Sequence, residues 1–204
     1  VVRFVEDSIA YSGYITIPGF IGGLLLAERL LSIYGESFVQ GSRILGVLLL
    51  SILIYGYMQS IMNALNAIDR PDSAFYVNAV FIFTNAVANI LLIQAIGWLG
   101  AAVASLLASV VGLLCSFYML TRSISITIPV PEISQQIVAA VVMGGVVWSG
   151  REIVETTNVL QHNFLVIVLL VTLGGLVYNG VLAVLSKEFR EIIQRNIQIE
   201  KLSI

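Results

Sequence analysis

Apolar residues fall in six blocks of about 20, the length needed to cross a hydrocarbon layer roughly 30 Å thick. The blocks run Ile9–Ile33, Ile44–Ala67, Ser73–Ile96, Trp98–Leu120, Ser134–Gly150 and Phe164–Ser186. Between them lie short polar breaks: "YGESFVQGSR", "IDRPDS", "IGWLG", "TRSISITIPVPE" and "REIVETTNVLQHN". Pro71 suits the first turn of the third block, where its missing N–H is no loss. Pro129 and Pro131 precede the fifth and shortest block, in a stretch expected to be extended. Backbone groups in lipid must be satisfied internally, so such spans are helices or barrel strands. The blocks lack the period-two alternation of barrel strands. The pattern predicts an all-α integral membrane fold with six transmembrane helices.

Composition narrows the class. Of 204 residues, 58% are hydrophobic and 11% charged, and mean hydropathy is +0.98. Soluble domains carry about 25% charged residues, so this chain cannot cover itself in water. The net charge of −2 says little, because placement of charge governs membrane topology. It offers no basic surface for nucleic acid. Cys115 lies inside an apolar block and is expected to act as a small hydrophobe. No cleavable signal sequence is visible. The chain starts at Val1 rather than Met and reads as part of something longer.

Lys and Arg then set the expected orientation. Six spans put both ends on one side, with Arg3, Arg70, Arg122, Lys187, Arg190, Arg195 and Lys201. Arg43 and Arg151 fall opposite, with Arg29 near the boundary. The imbalance predicts a multi-pass protein of the cytoplasmic membrane with both ends of the segment cytoplasmic. Residues 1–186 form the six-helix unit and 187–204 a cytoplasmic amphipathic tail. There Phe189, Ile192, Ile193 and Ile197 share a face, as in an interfacial helix.

Two kinds of stripe interrupt the apolar blocks. On the fourth, Gly100, Ala104, Ala108 and Gly112 fall four apart, continued by Ser116. Lipid is as apolar as leucine, so helices associate through close approach, which small residues permit. This stripe predicts a packing seam. On the second block, Tyr55, Gln59, Asn63 and Asn66 stay within about 80° of one another at helical spacing. On the third, Asn78, Asn85 and Asn89 stay within about 40°. Amides in hydrocarbon must face protein or water. They therefore either bond neighbouring helices or line a cavity for hydroxyl-rich cargo.

Glu28 and Arg29 sit about one turn from the outer end of the first block. They reach the interface by snorkelling or contact a headgroup or coupling ion. Pro18, among Gly13, Gly19, Gly22 and Gly23, is expected to kink or loosen the first helix. His162, the lone histidine, lies in an outer break. The sequence offers no metal-ligand cluster, nucleotide loop or catalytic constellation. No cofactor, metal or enzymatic activity is therefore expected.

The order of features resembles a known family. "RLLSIYGESF" ends the first helix, "RILGVLLLS" opens the second and "NALNAIDRPDSAF" turns into the third. "NAVANILLIQAIGWLGAAVASLLAS" joins the third to the fourth and "LSKEFRE" ends the sixth. These features resemble the C-terminal half of the polysaccharide flippases, within the multidrug/oligosaccharidyl-lipid/polysaccharide exporter superfamily. Asn85, Asn89, Leu91, Leu92, Gly97, Gly100, Ala101 and Ala102 carry the resemblance most specifically. Gln94 stands where the family often has proline, and no Lys or Arg lies deep in a span. The resemblance implies one lobe of a two-lobe, alternating-access transporter. Its implied partners are membrane lipid, a lipid-linked glycan and an N-terminal lobe of the same protein. Two alternatives are a cation-coupled multidrug exporter and a non-transporting scaffold of an envelope-synthesis complex. The exporter wants a deep carboxylate; the scaffold predicts fully buried amides.

Overall fold

The computed structural model describes residues 2–157, 163–186 and 188–190. It contains six long helices: α1 Val2–Ser32, α2 Ser42–Ala67, α3 Pro71–Ile96, α4 Trp98–Ser123, α5 Val130–Thr157 and α6 Asn163–Leu185. A 3-10 turn, Glu36–Gly41, leads into α2. All six are long and apolar enough to cross a membrane. The fold is that of an all-α, multi-pass membrane protein. His162 and most of the expected amphipathic tail lie outside the described residues.

The apolar blocks mark the helices, and the ends differ where polar residues find partners. α5 begins at Val130 and runs to Thr157, well beyond the expected Ser134–Gly150. Pro131 occupies the first turn, where no intrahelical N–H is needed. At the far end Arg151 and Glu155 continue the helix because α1 supplies counter-charges. α1 likewise begins seven residues before its apolar block, at Val2 rather than Ile9. Its Glu6 carboxylate accepts bonds from the Thr127 N–H (2.8 Å) and hydroxyl (2.6 Å), tying it to the α4–α5 connection. α1 also runs unbroken through Pro18.

α1 divides the molecule into two cores. On one side Val5 and Ile9 pack with Met58, Leu65, Val77 and Leu120, from α2, α3 and α4. On the other Ile17 and Leu26 pack with Met143, Val147, Leu170 and Leu182, from α5 and α6. α3 lies along α4 and touches α2 only briefly.

The hairpin α3–α4 is held at backbone range. Gly97 alone connects the two helices, at φ 63° and ψ −142°, a conformation that favours glycine. A Cβ on Gly100 would collide with the Leu92 carbonyl, and one on Gly112 with the Met58 sulfur. Ala104, Ala108 and Ser116 between and beyond them are fully buried. The Ser51 and Ser109 hydroxyls, 3.0 Å apart, join α2 to α4 in this seam.

Candidate functional site

Helical phase assigns the sides of α2. Gly56 meets Thr16 of α1, while Met58 meets Gly112 of α4. Two arcs remain between these neighbours at about 100° per residue. One holds Leu53, Tyr57 and Ile61, which line an apolar groove of about 600 Å3 with Ile9, Ile17 and Leu113. The opposite arc holds Tyr55, Gln59, Asn63 and Asn66. Asn63 and Asn66 are exposed and Gln59 half-buried. On α1 the same side presents Tyr11, Ile15 and Gly19, with Ile15 81% exposed.

α3 forms the wall beside this face. Tyr55 lies against Phe81 with ring centroids 5.3 Å apart. Asn78 is exposed, and Asn85 and Asn89 are half-buried. The Asn89 side-chain N–H groups donate to the backbone and side-chain oxygens of Asn85, at 2.9 and 3.0 Å. Among the described residues, none of these seven side chains hydrogen-bonds to another helix. They do not act as glue inside this bundle, and they are not fully buried as a scaffold would require.

The end of the bundle where α1 meets α5 and α6 carries a charge network. Arg151 bonds Glu28 (3.0 Å) and Glu155 (2.8 Å), and Arg29 bonds Glu155 (3.0 Å). Arg29 also donates to Asn163 at 3.3 Å, and Arg151 to the Leu25 carbonyl at 3.0 Å. Glu28 and Arg29 are thus each paired with α5, and Arg29 is mostly covered by protein. Their charges are met inside the chain.

A third polar group carried no periodic signal in sequence. Gln136 of α5 is fully buried, and its amide donates to the Ala10 carbonyl at 2.9 Å. Its carbonyl oxygen and the Tyr57 hydroxyl both overlie Gly13. The Tyr14, Tyr57 and Tyr178 hydroxyls and the Gln136 carbonyl oxygen lack partners among the described residues. Gly13 is the gap that admits this group, because any side chain there would displace Gln136.

Residues 2–172 match the family described as Lipid II flippase MurJ. The chain belongs to that family. The chain is also 33% identical over 196 residues to "Probable flippase AglR" of Haloferax volcanii, and 25% identical over 194 residues to "Probable low-salt glycan biosynthesis flippase Agl15" of the same organism. Each match covers 95% of this chain and 40% of the relative, so the chain spans well under half the length of either. A solved structure, "Lipid II flippase MurJ, inward closed conformation", superposes with a TM-score of 0.75 at 19% identity. It covers 94% of this chain and 40% of that one, and speaks for the fold alone. The flippase resemblance carried by Asn85, Asn89, Gly97 and Gly100 agrees with this family and with the flippase names of the two relatives.

Proposed function

We propose that this chain is one lobe of a flippase that moves a lipid-linked oligosaccharide across the cytoplasmic membrane by alternating access. Residues 1–186 form the lobe, and an N-terminal lobe of the same protein closes the passage over the face bearing the amides. Tyr55, Gln59, Asn63, Asn66, Asn78, Asn85 and Asn89 meet the glycan, while the lipid tail stays in the bilayer. Both ends of the segment face the cytoplasm, in keeping with the basic residues on that side. Glu28 and Arg29 serve as an internal brace rather than a headgroup or ion contact. The protein moves its substrate without making or breaking bonds in it.

One observation carries this reading. A row of amides without cross-helix partners lies on one open arc of α2 and the adjoining wall of α3, while the opposite arc of α2 lines a largely apolar groove. Uncommitted amides inside hydrocarbon are unfavourable unless a polar cargo or a partner meets them. A cation-coupled drug exporter is less well supported, since the middle of every described span lacks a carboxylate. The test places the full-length protein in liposomes with a fluorescent lipid-linked oligosaccharide. Faster leaflet exchange than in protein-free liposomes is expected; equal exchange overturns the proposal.

A further inference from the structure

Asn89, the last amide of the α3 row, also borders a second space. It is a cleft of about 760 Å3, within the roughly 300–1,000 Å3 of small-molecule pockets. The cleft is built from four separate pieces of chain. The 3-10 turn gives Ser37, Phe38 and Gln40; α2 gives Ile44 and Leu48; α3 gives Asn89; the start of α4 gives Trp98 and Ser105.

The lining has a definite chemistry. Trp98 is 85% exposed and Phe38 55%, so two aromatic faces border one space. Trp98 opens α4 directly after Gly97, whose positive φ makes the sharp turn possible. Ser37 and Gln40 carry no side-chain hydrogen bond among the described residues. Asn89, also in the lining, has committed its N–H groups to Asn85 and keeps its side-chain carbonyl oxygen as an acceptor. The Ser105 hydroxyl donates to the Ala101 carbonyl at 3.1 Å and keeps its acceptor lone pairs. Among the described residues, no charged side chain lines the cleft.

Aromatic faces stack on the C–H face of a pyranose ring, and amides and hydroxyls pair with its edge. A cavity with this inventory and no charge suits an uncharged sugar and gives an acidic one no counter-ion. An interfacial aromatic belt explains one Trp at a membrane surface. It does not explain why a second aromatic from another segment and two uncommitted polar side chains, Ser37 and Gln40, converge on the same space.

We infer that this cleft is a sugar subsite that takes a neutral pyranose unit of the glycan at the outer end of the lobe. Trp98 and Phe38 stack on the ring, and Gln40, Ser37 and Asn89 pair with its hydroxyls. The inference rests on the flippase reading for its cargo and on the lining alone for its selectivity.

The test uses the full-length protein in phosphatidylcholine nanodiscs and saturation-transfer difference NMR, with methyl glucoside and methyl glucuronide as probes. Methyl glucoside is expected to receive saturation from the wild type. Trp98→Ala and Gln40→Ala are each expected to weaken its binding about fivefold, the effect of losing one stacked ring or comparable contact. Trp148→Ala, on the exposed face of α5, is expected to keep the full signal. The subsite is overturned by equal transfer in wild type and both cleft variants, by loss that follows Trp148, or by stronger binding of the glucuronide. Leaflet exchange measured in liposomes of the same preparation separates the two claims. Exchange with no Trp98-dependent sugar signal sinks the cleft and spares the flippase; a Trp98-dependent signal without exchange does the reverse.

Discussion

The α3–α4 hairpin and the α1–α5 pair are held together in opposite ways. α3 and α4 meet through missing side chains: Gly100 sits on the Leu92 carbonyl, and Gly112 lies against Phe81 of α3 while also receiving the Met58 sulfur of α2. α1 and α5 meet through long polar ones: Gln136 reaches the Ala10 carbonyl, and Arg151 reaches Leu25 and Glu28. Lipid removes the difference between buried and exposed leucine, so only close packing or polar bonding can select a partner helix. The chain uses one on each side of the molecule. The amides of α2 and α3 belong to neither set, which makes them available for another purpose.

Substitutions can break this contrast, beginning with the largest expected effect. Gly100→Leu forces α3 and α4 apart at the backbone and is expected to destabilise by about 3 kcal/mol or more. Thermal unfolding in detergent reads this, and an unchanged midpoint would show that the hairpin does not depend on close approach. Gln136→Leu removes the bond to Ala10, with an expected loss of about 1 kcal/mol. Equal or greater stability would mean that the buried amide contributes nothing to α1–α5 pairing. The Arg151–Glu28 pair is partly exposed, so a double-mutant cycle should give a coupling of about 0.5 kcal/mol that shrinks with added salt. Coupling insensitive to salt would argue that the pair is shielded from solvent. Asn63→Leu should leave stability within about 0.5 kcal/mol while slowing leaflet exchange. A large drop in its melting temperature would move Asn63 into the structural set.

Much of this architecture is legible in the sequence because hydrophobic block length reports directly on the membrane. All six spans follow from it, and Pro71 and Gly97 mark the turns around α3. The ends of α5 do not follow. Pro131 and Arg151 look like breaks in a linear reading, and only the presence of α1 beside them makes a helix favourable there. Periodicity places Gln59 and Asn63 on one face of α2 but cannot say which neighbour that face meets. Gln136, Tyr57 and Tyr178 were not legible at all, since a solitary polar residue leaves no repeat. The same holds for Phe38 and Trp98, which share a cleft although 60 residues separate them in the chain.

Gly97 has a mechanical meaning. A one-residue link leaves α3 and α4 no slack, and the backbone contact at Gly100 removes what freedom remained. The two helices therefore form a single stiff unit, and α2 is tied to it where Met58 meets Gly112 and Ser51 meets Ser109. Any rearrangement in this part of the chain therefore has to carry α2, α3 and α4 together.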